Sequence, residues 1–353
     1  MKILVIRLKQ IGDALISLPV CKSLRSTLPD AQIDYLVYEH IAPLFLHHPA
    51  VDNVLTISPE ERRNRWKYFL KMRDIRKARY DLVIDLLTVP VTALMTRYSA
   101  APLQLGFDKG KWRSKLYKTS VPHPGAGGSL DAKLSILTGL PFDVNRVRSF
   151  EIVLKEEELS DMRARMAAHN LSPDKPTLLF SPISRLGSKN WPGDFFIELI
   201  NHCLSHFDVQ GIMIWGPGER EDVLSLARRI NLPTRLSTSI ETRSLRELAA
   251  LSRLCTLFIG NDSGPRHVAE ASGIPTFTIF SPPISKFAWI PHRGPRHRGV
   301  DMCDALYIDE QTWHKQVAEF RQNQDSFYRK ITPEIVIERL QPMLAELITG
   351  HST

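Results

Sequence analysis

The feature that most constrains this chain is a rhythm that occurs twice. Short runs rich in Ile, Leu and Val at residues 2–8, 33–38, 54–57 and 81–86 alternate with helical patterns at 13–28, 41–48 and 61–79. A second series predicts strands at 177–181, 211–215, 256–260 and 276–280, with helices at 194–206, 219–230, 245–252 and 265–272. Strands that alternate with helices pair in parallel, because each helix carries the chain back to the end of the sheet where it began. The simplest account is an α/β chain with two Rossmann-like domains in tandem, which 353 residues accommodate comfortably. The expected division is a first domain at 1–150, a second at 151–332 and a closing helix at 333–353, opened by Thr332-Pro333. A helix at 154–170 stands at the entry to the second domain. The stretch 282–298, rich in Pro, Arg and His, reads as an irregular loop.

Charge divides the chain unevenly. Residues 1–150 hold 23 Lys and Arg against 13 Asp and Glu, whereas residues 151–353 hold 23 against 25. The whole positive excess of the chain therefore lies in the first half, which suits an anionic partner such as nucleic acid, anionic lipid or a phosphorylated glycan. No window has the ~18 consecutive apolar residues of a membrane span. The apolar run at 1–8 is too short, and charged too soon, for a signal peptide, so a cytoplasmic location is expected. Cys21, Cys203, Cys255 and Cys303 are scattered without a C-x-x-C pair, and neither zinc nor a disulfide is expected.

Four loops follow predicted strands, where open parallel sheets bind ligands. Gln10-Ile11-Gly12-Asp13 comes first; Asp13 is either a reactive carboxylate or an N-cap. No G-x-G-x-x-G is present, so a dinucleotide fingerprint is absent. Gly260-Asn261-Asp262-Ser263-Gly264-Pro265-Arg266-His267 joins a strand to a helix, where free amides make an anion site; the alternative is a well-capped helix without a ligand. Arg266 and His267 are out of place in a first helical turn, and a bound phosphate would offset them. Ser184 to Pro192 carries Lys189, suited to phosphate or merely solvated. Trp215-Gly216-Pro217-Gly218-Glu219 ends in an acid that either accepts from a ribose hydroxyl or caps the next helix. The last three loops leave one edge of one predicted sheet, and together they point to a nucleotide site.

A fifth feature is a basic stretch containing Arg62, Arg63, Arg65, Lys67, Lys71, Arg73, Arg76, Lys77 and Arg79, followed by Lys109, Lys111, Arg113, Lys115 and Lys118. Such runs are usually solvated helix faces. This one is nearly all positive, so a partner is the alternative. No RRM, KH, OB or zinc-finger pattern accompanies it, and nucleic acid is not expected as that partner.

Four motifs together resemble the glycosyltransferase family 9 heptosyltransferases of lipopolysaccharide core synthesis. They are the opening at 1–8 with Ile11-Gly12-Asp13-Ala14-Leu15 and Leu18-Pro19; Ser188-Lys189-Asn190-Trp191-Pro192; Trp215-Gly216-Pro217-Gly218-Glu219; and Phe258 to Ala271. The resemblance implies a GT-B fold, two Rossmann-like domains facing a central cleft, and inverting, metal-free transfer of heptose from ADP-heptose to the lipopolysaccharide inner core. It implies Asp13 as general base; Lys189 and Ser184 at the donor diphosphate; Glu219 at the ribose; and Asp262, Ser263, Gly264 and His267 around the sugar diphosphate. No cofactor beyond the nucleotide-sugar co-substrate is implied. The basic half, with Arg62, Arg63, Arg65 and Lys67, then suits a phosphorylated lipid A–core acceptor, with peripheral contact at the cytoplasmic face of the inner membrane. The chain departs from the family pattern at Lys9 and Gln10, where small residues are common, and at Arg266, where the usual residue is apolar or small. Two readings compete: the same fold with another nucleotide sugar or acceptor, and a non-catalytic phosphoglycan-binding protein. A sugar-nucleotide epimerase would not need the basic half.

Overall fold

The computed structural model describes residues 1–110, 112–124, 130–290 and 295–349. Lys111, and parts of the loop read at 282–298 and of the closing segment 333–353, lie outside the described residues. The chain forms two compact units, Met1–Val153 and Leu154–Thr353.

The first unit contains strands β1 (Lys2–Ile6), β2 (Gln32–Tyr38), β3 (Asn53–Ile57), β4 (Leu82–Asp85), β5 (Leu103–Asp108) and β6 (Thr119–Pro122). All pair in parallel, in the order β3-β2-β1-β4-β5-β6. The second unit contains β7 (Thr177–Ser181), β8 (Gln210–Met213), β9 (Leu236–Ser237), β10 (Leu257–Asn261), β11 (Thr276–Ile279) and β12 (His297–Val300). These too are parallel, in the order β12-β11-β10-β7-β8-β9. Counted within each unit, both sheets read 3-2-1-4-5-6. The chain direction across the sheet therefore reverses between the first and fourth strands, β1/β4 and β7/β10, which is where doubly wound sheets open a crevice for ligand.

Central strands are buried on both faces: Ile3, Leu4, Val5, Ile6, Leu257, Phe258 and Ile259 are wholly buried. A strand covered on both sides reads as a continuous apolar run, which is why these elements were legible. The closing helix, Pro333–Thr349, packs Val336, Leu340 and Met343 into the core of the second unit. The four cysteines are free and buried.

Three expectations change. The helix expected at 41–48 is a 3₁₀ segment, Glu39–Phe45, containing Pro43. The stretch 282–298 is not wholly irregular, since it holds a short helix, Lys286–Trp289, and the start of β12. The basic stretch at 61–79 is two helices, Pro59–Arg63 and Arg65–Lys77. Asn64 separates them, leaving helical geometry to accept the N–H groups of Trp66 and Lys67 at 2.9 and 3.2 Å. An asparagine so used caps a new helix and cannot continue the old one.

Candidate active site

In the second unit the site is built across β7 and β10, the strands flanking the switch point. Gly260 lets them close up, because a Cβ there would lie 2.9 Å from the Ser181 carbonyl oxygen and 2.8 Å from the Phe258 ring. Asn261 then stitches the two loops: its amide donates to Pro182 O at 2.7 Å and its Oδ1 accepts the Trp191 N–H at 3.1 Å. The loop after β7 delivers Lys189, whose ammonium donates to the Asp262 carboxylate at 2.7 Å and to Asp262 O at 2.9 Å. The Ser184 N–H donates to Asn190 Oδ1 at 2.7 Å, which fixes the loop's entry.

The Lys189 loop is braced from behind. Tyr328 donates its hydroxyl to Lys189 O at 2.9 Å, the Trp191 indole donates to Ile331 O at 2.7 Å, and Gln324 donates to Ser188 O. Sequence reasoning missed these three partners, which stand about 140 residues downstream and carry no local signal.

The Gly264–Ala271 helix begins at this junction. Ser263 occupies its cap position, yet its side chain makes no capping hydrogen bond. Ser263 Oγ and His267 Nδ1 are buried and have no hydrogen-bond partner among the described residues. Buried polar groups are nearly always paired, so these two orphans leave hydrogen-bonding capacity open beside a helix N-terminus and a lysine. The expected side-chain cap of a well-capped helix is therefore missing at Ser263.

Arg266 corrects a different expectation. It is wholly buried and turned into the protein, donating from Nη1 to Glu270 at 2.9 Å and from Nη2 to Trp289 O at 3.1 Å. Its charge is therefore met by Glu270, with Asp262 at 3.7 Å, and does not wait for a phosphate. Burial pushes the Glu270 carboxyl up to about 7, against the pull of Arg266. Burial first, then Arg266 and Lys189, hold His267 well below the ordinary imidazole range, so it is neutral.

Glu219 stands half-buried at the start of the Arg220–Ala227 helix, but it does not cap it. Its Oε2 instead accepts the Gly216 N–H at 2.7 Å and closes the turn. Desolvation, opposed by that bond, raises its carboxyl.

In the first unit, Asp13 is the third residue of the Ile11–Thr27 helix, and the cap position belongs to Gln10. Asp13 is thus not an N-cap. Its carboxylate pairs with Arg7, which also donates to Leu86 O in the loop after β4 and so ties the two sides of the β1/β4 switch point. Arg7 was not singled out from the sequence, nor was Lys133, which is buried on the short helix Leu130–Leu134. Burial first, then Arg7, Lys109 and Lys9, bring Lys133 down to about 7, while Asp13 opposes them. At the end of β4, Asp85 is wholly buried and raised by desolvation, with Tyr117 donating to it at 2.7 Å.

The four basic residues divide. Lys67 pairs with Glu60, and neighbouring Lys71 with Glu61 at 3.3 Å, so the face is less purely positive than its sequence implies. Arg62 lies 5.3 Å over the Tyr38 ring. Arg62 and Arg65 edge a groove of about 450 Å³ lined by Tyr68, Phe69, Met72 and Val89. Arg63 and Arg65 flank exposed Trp66. Among the described residues, no three His, Cys, Asp or Glu side chains are grouped to hold a metal.

Comparison with known proteins bears on all of this. The model of glycosyltransferase family 9 (heptosyltransferase) matches residues 70–289. Lipopolysaccharide heptosyltransferase 3 of Escherichia coli is 27% identical over 280 residues, covering 76% of this chain and 80% of its own. Among solved structures, a family 9 glycosyl transferase from Veillonella parvula DSM 2008 superposes with a TM-score of 0.80 at 20% identity, over 98% of this chain and 97% of its own. E. coli ADP-heptose LPS heptosyltransferase II superposes with a TM-score of 0.71 at 21% identity, over 98% and 99%. These likenesses show the fold to be of the GT-B class.

Proposed function

The chain belongs to glycosyltransferase family 9, and on that premise we propose that it transfers heptose from ADP-heptose to the inner core of lipopolysaccharide, with inversion and without a metal. The observation that carries this reading is the junction of β7 and β10, where Lys189, a helix N-terminus and two buried, unpartnered polar atoms converge. A sugar diphosphate supplies what all of them lack.

In this reading Asp13 takes the proton from an acceptor hydroxyl, whose oxygen attacks the anomeric carbon as the bond to the diphosphate breaks. Arg7 fixes the carboxylate while this happens. The charge released on the diphosphate is met by Lys189, the Gly264 helix start, Ser263 Oγ and His267 Nδ1, all in place before reaction. Asp262 holds Lys189 ready, Ser184 lies in the same phosphate pocket, and the free oxygen of Glu219 accepts from the adenosine ribose. The acceptor is a phosphorylated lipid A–core whose anionic groups meet Arg62, Arg63, Arg65 and Lys67. No helix among the described residues is long and apolar enough to cross a membrane; the groove beside Arg62 and Arg65 supports peripheral contact with the cytoplasmic face of the inner membrane.

A donor screen tests this directly. Sugar nucleotides are incubated with the enzyme and extracted lipopolysaccharide core in the presence of EDTA, and the product is weighed by mass spectrometry. The expected outcome is core plus one heptose from ADP-heptose alone. Transfer only from another nucleotide sugar, or only after a divalent ion is restored, overturns the corresponding part of the proposal.

A further inference from the structure

Among the described residues, Arg266 is the largest charged side chain that is wholly buried, and the transfer mechanism above makes no use of it. Its guanidinium is held at several points: Glu270 at 2.9 Å, Trp289 O at 3.1 Å, the Asp262 carboxylate at 3.7 Å and the face of Phe280 at 6.0 Å. So anchored, it cannot swing. From this fixed position Nη2 stands 3.1 Å from Nε2 of the adjacent His267.

We propose that Arg266 is a positioning residue that locks the His267 imidazole with its proton on Nδ1, making that nitrogen a standing donor to the diphosphate of the bound nucleotide sugar. The proposal rests on the donor-site reading given above. A guanidinium only donates, so Nε2 facing it must accept. A neutral imidazole with an accepting Nε2 carries its hydrogen on Nδ1. A second proton would set an imidazolium N–H against a guanidinium N–H only 3.1 Å away, with both side chains buried. Among the described residues, the groups facing the ring are Arg266 and Lys189, both cationic; Glu270, whose Oε2 is 4.0 Å from Nδ1, beyond hydrogen-bond reach; and the edge-on Trp289 ring, 5.8 Å away. Nδ1 thus points its hydrogen at no partner among the described residues. Glu270 offsets the guanidinium charge, so the lock adds little net charge to the pocket, and the gain is one oriented hydrogen bond. Lysine has no planar fork and could not hold Glu270, the Trp289 carbonyl and His267 together.

The test reads the tautomer before it reads function. Long-range ¹⁵N–¹H NMR of the full chain distinguishes Nδ1–H from Nε2–H imidazoles, and His267→Gln identifies the signal. The wild-type protein should show Nδ1–H, unchanged from about pH 5 to 8, the range where free histidines titrate. Arg266→Met should move the ring toward Nε2–H. Because that variant strands the Glu270 carboxyl, Arg266→Met/Glu270→Gln provides a second variant with no buried charge left over, and the same shift is expected there. Arg266→Lys should keep the charge and lose the tautomer. In calorimetry, ADP should bind the tautomer-shifted variants about ten- to a hundredfold more weakly, the weight of one hydrogen bond to a charged group, while adenosine binds as before. An Nε2–H wild type, or a folded double variant that keeps Nδ1–H, overturns the lock. A shifted tautomer with unchanged ADP affinity overturns its purpose. If the wild type shows Nδ1–H and binds no ADP, the donor-site reading itself has failed and the proposal falls with it.

Discussion

The two units share one strand order and place a cation–aspartate pair at the same point in it, but they surround that pair differently. In the first, Arg7 after β1 meets Asp13 and reaches across to the loop after β4. In the second, Lys189 after β7 meets Asp262 after β10. Around Asp13, Arg7, Lys9, Lys109 and Lys133 crowd close enough to depress the lysine among them that is most buried. Around Asp262 each cation has its own acid, Lys189 with Asp262 and Arg266 with Glu270, and among the described residues hydrogen bonds are lacking at Ser263 Oγ, His267 Nδ1, Arg266 Nε and Glu270 Oε1. One switch point gathers positive charge around a single unpartnered guanidinium nitrogen, Arg7 Nε, and the other gathers several orphaned polar atoms. The same topology thus carries two different electrostatic settings, and the difference lies in side chains that the fold does not dictate.

The largest effect that can break this comparison lies at Asp13. Asp13→Asn should reduce turnover by about 10²–10⁴-fold, the usual weight of a general base, while ADP affinity changes no more than a few-fold. A variant that transfers sugar at near the wild-type rate would remove the base from the first unit. Next comes Lys189→Ala, which should weaken ADP by about ten- to a hundredfold and leave adenosine nearly untouched, since a charge-assisted contact to phosphate is lost and none to the nucleoside. Equal losses for both ligands in calorimetry would move Lys189 away from the diphosphate.

Stability sharpens the contrast. Lys133 is lowered from 10.5 to about 7 in the folded chain. Between those values the unfolded chain holds a proton that the native one has released, so this group makes stability rise with pH, by up to about 1.4 kcal/mol per pH unit. Below about 7 the native state must carry a buried ammonium, and the contribution is at its least favourable. Lys133→Met should therefore raise Tm most at neutral pH and below, and flatten its rise toward alkaline pH. A Tm profile parallel to wild type would show that the crowding is not felt. The smallest effect belongs to the surface. Joint replacement of Arg62, Arg63, Arg65 and Lys67 by Ser should raise acceptor KM a few-fold with donor KM unchanged. The difference should shrink as salt rises, because exposed charges are screened beyond about 8 Å at physiological ionic strength. Lys67 should contribute least, being paired with Glu60.

What the sequence made legible follows the same division. The buried central strands and the loops that leave them announce themselves, because a run such as Leu257 to Asn261 can only be a covered strand ending in a polar turn. Edge strands do not. β12 reads His297-Arg298-Gly299-Val300, paired on one side only, and its glycine is there because a Cβ would meet Thr278 O at 2.4 Å. Asp13, Lys189 and Asp262 were visible as polar residues after strands. Arg7 was not, because it reads as the charged end of an apolar run and acquires meaning only once β4 lies beside β1. Arg266 was visible as an anomaly but not as a solution, since its partner Trp289 O comes from a different element. The basic stretch misled in part: its acids, Glu60 and Glu61, lie on the preceding helix, whose separation at Asn64 was not apparent from the charge pattern.

The brace behind Lys189 has a consequence for how variation in this chain should be interpreted. Tyr328 and Gln324 hold the Lys189 and Ser188 carbonyls in place, and the Ile331 carbonyl holds the Trp191 indole. Tolerance to change will therefore not decay smoothly with distance along the sequence from the nucleotide loops. A survey of random substitutions would find a separate band of sensitivity near residue 328, felt as displacement of the Lys189 loop and, on the proposed function, as weakened nucleotide affinity. A graft of the β7 loop into another protein of this fold would carry the lysine but leave behind the support that aims it.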